Sequence, residues 1–215
     1  MSGDPKGGSP GAALHSLRRF LQQPAVAERC ELCSAPLAAE HPHLVELTTR
    51  KLLCACDPCA ILFDAQDAGN YRRTPRDRRL LVDFRLADET WQALDLPINL
   101  AFFLYNTTAR RLIALYPSPG GATESLPPPD AWQMLVDDNP ILQTMQPDVE
   151  ALLVNRVASP PLCYLVGLDE CYKLVGLIRI HWRGLSGGTA VWKEIERFFA
   201  DLKRRAHPVG GPSDA

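Results

Sequence analysis

The chain has 215 residues, 46% of them hydrophobic, and a formal net charge of -2. That is enough apolar sequence to bury a core, and the charge balance excludes a surface given over wholly to polyanions. No apolar run approaches the ~20 residues of a bilayer-spanning helix, and the first thirteen residues lack the basic segment and apolar stretch of a secretory leader. The expected compartment is the cytoplasm, where thiols stay reduced and clustered cysteines read as metal ligands or redox groups before disulfides.

Taken in order, residues 1–12 hold Gly3, Pro5, Gly7, Gly8, Pro10 and Gly11 and should form a disordered tail. Residues 13–70 make up a Cys-rich metal-binding module. Leu14, Leu17, Phe20 and Leu21 recur at helical spacing and predict a lead-in helix that ends before Pro24. A turn from Cys30 to Cys33 leads to a strand over His43-Leu44-Val45-Glu46-Leu47. Thr48-Thr49-Arg50 turns the chain, and Leu52 to Cys56 return as a second strand. Asp57 as cap and Pro58 at the first helical position open a helix through Ile61, Leu62 and Phe63 that closes near Gly69. This order is that of a zinc ribbon or a treble clef.

Five of the seven cysteines lie in this module, as Cys30-x-x-Cys33 and Cys54-Ala55-Cys56-x-x-Cys59. Two C-x2-C turns joined by a hairpin bring four soft ligands to one tetrahedral ion. Cys30, Cys33, Cys56 and Cys59 are therefore the candidate ligands. Zn2+ is the expected metal, with rubredoxin-type iron as the alternative. Four protein ligands leave no open position, so the expected role is structural. Cys54 lies two residues before Cys56 and would share its face on a strand. Either can serve as ligand, and Cys56 is preferred because it completes the second turn. With enough cysteines at hand, His41 and His43 read as surface or second-shell residues rather than ligands.

Tyr71 to Arg79 form a basic connector and the expected module boundary, with an α+β domain over residues 80–205. In it, Leu80–Leu86 reads as a strand, Asp88 caps a short helix carrying Trp91 and Leu94, and Ile98–Tyr105 with Leu112–Tyr116 make a hairpin about Asn106-Thr107-Thr108. Pro117 to Pro129 is too punctuated for regular structure. Short helices are predicted over Trp132–Val136, Pro140–Met145 and Asp148–Val154. Leu162–Gly167 and Leu177–Trp182 read as strands separated by a helical turn at Asp169–Lys173. Val191, Trp192, Ile195, Phe198, Phe199 and Leu202 form the apolar stripe of a final helix. Residues 206–215 should be a disordered tail.

Between Pro119 and Glu170 eight acidic residues face Arg156 alone, and the arginines of the connector are expected to meet them. Arg72, Arg73, Arg76, Arg78 and Arg79 would otherwise suit nucleic acid phosphates, but only Tyr71 offers a base a stacking surface. Gly184-Leu185-Ser186-Gly187-Gly188 matches G-x-S-x-G. Asp201 and His207 follow it on the last helix and in the tail, however, so a glycine-rich turn into a helix explains it better than a nucleophile. His181 reads as a strand residue with a local partner. Cys163 and Cys171 read as core thiols.

The motifs Cys30-x-x-Cys33, His41-x-His43-Leu44-Val45 and Cys54-Ala55-Cys56-x-x-Cys59-Ala60, together with Asp169-Glu170-Cys171-Tyr172 and Trp182-Arg183-Gly184, resemble a family of functionally uncharacterised bacterial proteins associated with nickel-iron hydrogenase gene clusters. The resemblance implies an accessory role in hydrogenase assembly or electron supply and brings no catalytic residues. The overall expectation is an α+β protein in which the Cys-rich module docks on a mostly antiparallel sheet covered by helices. It would act without catalysis as a metal-binding partner of a hydrogenase or its maturation factors. The alternatives are an iron electron carrier and a nucleic-acid-binding protein using Arg72 to Arg79.

Overall fold

A computed structural model describes residues 28–64, 69–184 and 187–210. The predicted lead-in helix and residues 1–12 lie outside them. The fold is α+β, with two sheets and five α-helices among the described residues. The small sheet has the order β2-β1-β3, all antiparallel, from β1 (His43–Glu46), β2 (Leu52–Cys54) and β3 (Tyr71–Arg73). Helix α1 (Asp57–Phe63) follows β2. The predicted hairpin and helix are present, and the stretch read as a connector supplies β3.

The large sheet has seven strands in the order β10-β4-β9-β8-β5-β6-β7. They are β4 (Arg79–Leu81), β5 (Leu100–Asn106), β6 (Arg111–Ser118), β7 (Gly121–Ser125), β8 (Glu150–Asn155), β9 (Leu162–Gly167) and β10 (His207–Val209). Only β10 against β4 is parallel. Side chains alternate between the two faces, as strand geometry requires. Phe102, Leu104, Leu153, Tyr164 and Val166 pack against α4 (Leu168–His181) and α5 (Gly188–Arg205). Ala101, Phe103, Leu152, Val154 and Leu165 pack against α2 (Asp88–Ala93), α3 (Pro129–Asp138) and the 3-10 turn Pro140–Thr144. No described helix is long and apolar enough to cross a membrane.

Four elements differ from the sequence reading, each for a tertiary reason. Asp148–Val154 was expected to be a helix opened by Asp148, but Glu150–Asn155 is strand β8, buried at every residue. Asp148 does not cap a helix. It accepts hydrogen bonds from the Thr107 N–H (2.8 Å) and Oγ1 (2.6 Å) and so fixes the β5–β6 hairpin. Leu177–Trp182 continues a single helix, because Leu168, Cys171, Leu174, Val175 and Ile178 form one buried stripe that local alternation conceals. His181 accordingly ends a helix rather than a strand, with Nδ1 3.0 Å from the Leu177 carbonyl. Gly121–Ser125 pairs with β6 at the sheet edge despite its glycine, and His207–Val209, expected to be loose, extends the other edge beyond β4.

The arginines between Tyr71 and Arg79 do meet acids. Arg79 pairs with Glu150 at 2.8 Å, and Arg72 approaches Asp148 at 3.8 Å. Glu170, in the first turn of α4, is held by Arg78 and by Arg205 from the end of α5, both at 2.7 Å. Burial alone would raise the Glu170 carboxyl, but Arg205 and then Arg78 outweigh it and hold the group below its ordinary value. Because the folded pKa lies under the unfolded one, the stabilisation is complete above the ordinary carboxyl range of about 4.3 and is lost as pH falls through the folded value. Glu170→Gln is expected to cost about 2 kcal/mol at neutral pH, less than a fully enclosed pair because both arginines are partly exposed. Its urea midpoint should also fall less steeply on acidification than the wild type's. Parallel midpoint curves would show that the pair is not formed in solution.

Candidate metal centre

Gathering the cysteines is the work of three short devices. The Cys30–Cys33 turn is closed by the Ser34 N–H on the Cys30 carbonyl and the Cys30 N–H on the Ala35 carbonyl, both 2.8 Å. Ser34 leaves the turn at a φ of 63°. This turn is tied to the hairpin by the Glu31 N–H on the Cys54 carbonyl (2.9 Å), while the Glu31 side chain accepts from the Cys54 N–H (2.8 Å). Strand β2 ends at Cys54, so Cys56 is not on a strand. It occupies the N-cap position of α1, one residue earlier than the predicted cap, and Asp57 and Pro58 open the helix. Cys59 then lies on the buried side of the first turn.

The sulfurs of Cys30, Cys33, Cys56 and Cys59 all lie within 4.8 Å of one another, and those of Cys33 and Cys56 are 3.6 Å apart. Four sulfurs about 2.3 Å from one ion at tetrahedral angles stand about 3.8 Å apart, so the set fits a single tetrahedral metal. Cys30 and Cys59 are buried and Cys33 is exposed. Burial pushes the Cys30 thiol up. The backbone groups of Cys56, Cys33 and Leu32 and the Cys33 side chain bring it down to about 6. Burial, and then the shared sulfur hydrogen bonds with Cys33, Cys56 and Cys30, push Cys59 up to about 12. Cys30 forms a thiolate readily while Cys33 and Cys59 resist, which is how crowded thiols behave until a cation removes their mutual repulsion. The donor set can therefore hold a metal ion.

Cys54, weighed as a substitute for Cys56, is turned away from this set. It pairs across the hairpin with His43, and its sulfur lies within 4.8 Å of a ring nitrogen from each of His41 and His43. The strand end accounts for this. Alternation would put Cys54 and Cys56 on one face, but the chain leaves β2 between them. Cys163 and Cys171 are buried free thiols on opposite faces of the large sheet, and burial pushes Cys163 up to about 12. Ser186 lies outside the described residues. Gly187, beside it, has a φ of 85° and precedes α5, in keeping with a glycine turn.

No curated protein and no solved structure matches the chain. A family model described as a family of unknown function (DUF5947) matches residues 29–206, which takes in both cysteine turns, both sheets up to β9 and the two long helices. The chain belongs to that family, and it carries there a cluster of four cysteines fit for a metal ion.

Proposed function

We propose that the protein is a non-enzymatic accessory protein in which Cys30, Cys33, Cys56 and Cys59 bind Zn2+ and fix a surface for a protein partner. The observation that carries this reading is the convergence of the four sulfurs. A turn with two cysteines, a hairpin, and a helix bearing two more at its start is the order of a treble-clef module, which supports a structural rather than catalytic ion. All four positions are filled by protein, leaving none for substrate. The exposed apolar side chains of α1, Ile61 and Leu62, each about 70% exposed, lie on the element that the ion would anchor and suit a partner face. The proposed partner is a nickel-iron hydrogenase or a maturation factor acting on it. This rests on the resemblance of the cysteine and α4 motifs to proteins associated with those gene clusters.

Binding of the purified chain to a purified hydrogenase precursor tests the reading. Wild type is expected to bind and to carry zinc, and Cys30→Ser to lose both. A variant that loses the metal but keeps its fold and its partner would defeat the proposal. The same four thiolates also suit iron, and the exposed Cys33 sulfur favours an electron carrier as the second reading. The absorption spectrum separates the two, since an iron site of this type is coloured and bleaches on reduction whereas zinc is silent.

A further inference from the structure

His41 and His43 stand together beside Cys54, apart from the four-cysteine set. His43 opens β1 and stands directly opposite Cys54 on β2, so the two side chains leave the hairpin on the same face. That face is the one opposite Leu44 and Leu53, which pack with Cys30 and Cys59. His41, two residues before His43, brings its ring centroid to 4.8 Å from that of His43. One potential ligand atom from each of His41, His43 and Cys54 lies within 4.8 Å of the others.

Both imidazoles are held by their Nδ1 atoms. In His41 that atom is 3.0 Å from the Ala38 carbonyl, and in His43 it is 3.1 Å from Asp169 Oδ2 at the start of α4. A carbonyl or carboxylate on one ring nitrogen, with the other left for a cation, is how metal-binding histidines are oriented. The Asp169 contact depends on the fold. Gly167 lets the Pro75 carbonyl pass where a Cβ would stand 2.5 Å from it, so the chain leaving β3 crosses tightly over the start of α4.

The second, independent observation is an orphaned atom. The His41 side chain is only 7% exposed, and its Nε2 is buried without any hydrogen-bond partner. Such a nitrogen has given up its water without a replacement unless something occupies it.

We propose that His41 Nε2, His43 Nε2 and Cys54 Sγ form a second metal centre, separate from the four-cysteine site, that holds Zn2+ with its fourth position open to a small anion or water. Two nitrogens and one sulfur suit a borderline divalent ion, and three protein ligands with a vacancy are the arrangement of a reactive site rather than a structural one. Ligand atoms around one such ion stand roughly 3.5 Å apart, a closure that a small swing of either ring supplies. A bound cation would hold Cys54 as its thiolate.

His41 and His43 line a cavity of about 440 Å³ together with Glu28, Glu40, Arg76 and Lys173. Arg76 and Lys173 form no ion pair among the described residues. Glu28 and Glu40 line the same mouth, so its charge is mixed.

Metal counting on the full chain decides the matter. Wild type is expected to bind two zinc ions, Cys54→Ser and His43→Gln one each, and Cys33→Ser none, because the hairpin that carries His43 and Cys54 is tied to the cysteine turns. Cys54→Ser is nearly isosteric and should leave the thermal transition of the large sheet in place. In the Co2+-loaded protein, azide should alter the visible bands of wild type but not those of Cys54→Ser. A single zinc that Cys54→Ser retains and Cys33→Ser loses would overturn this proposal and leave the four-cysteine reading standing. A single zinc lost by Cys54→Ser alone would do the reverse. Two zinc ions with bands indifferent to azide would overturn the open position.

Discussion

Cys59→Ala, or removal of the ion by a strong chelator, is expected to unfold the segment around the cysteine turns while the seven-stranded sheet remains folded. The local core explains the size of the effect. Its buried members are Cys30, Leu44, Leu53, Ala55, Cys59 and Ala60, of which only the two leucines bury a large side chain. Each contributes roughly 2 kcal/mol, far less than the entropy of ordering the turns at about 1–2 kcal/mol per residue. A structural zinc supplies on the order of 10 kcal/mol or more to small modules of this kind. Hydrogen exchange is the measurement. The Cys30, Glu31 and Ala55 amides, bonded to the Ala35, Cys54 and Pro42 carbonyls, should lose protection, while the β5, β8 and β9 amides keep theirs. Unchanged protection at Glu31 and Ala55 after demonstrated loss of metal would mean that the turns stand without it.

Phe103→Ala should be the most damaging single change in the large sheet. Phe103 is fully buried on β5, an interior strand of the sheet. Its ring stacks on Trp132 of α3 at 5.8 Å and meets Trp91 of α2 edge-on at 6.2 Å. One side chain therefore joins two helices to the sheet. Deleting a buried phenylalanine costs about 3–5 kcal/mol through lost transfer and the cavity left behind, and the two aromatic contacts place this site toward the upper end. Against a total stability of about 5–15 kcal/mol that is a large fraction. Urea titration should show a much lower midpoint with an unchanged slope. A loss under about 1 kcal/mol would mean that α2 and α3 collapse onto the space without penalty.

Much of the arrangement is written locally. The two C-x2-C turns, the hairpin between them and the Pro58 helix start each depend on residues a few positions apart, so the four-cysteine gathering is legible before any coordinates. The stripe of α5 and the β5–β6 hairpin are legible for the same reason, since their apolar periods are long and unbroken.

What the sequence could not determine lies where a local signal is spent on a distant partner. Asp148 looks like a helix cap, yet its carboxylate serves Thr107, forty-one residues away. The apolar run that follows it suits a helix or a central strand equally, and only the presence of β5 and β9 on either side makes it β8. His43 is one histidine in a loop until α4 brings Asp169 to it across 126 residues. By itself, then, the sequence determined that the two C-x2-C turns meet, with Cys56 preferred to Cys54, because chemistry at fixed spacing needs only a turn and a hairpin. The tertiary structure alone decided that Cys54 joins His41 and His43 instead, because a strand's end, a crossing at Gly167 and a helix from the other half of the chain set which way those side chains face.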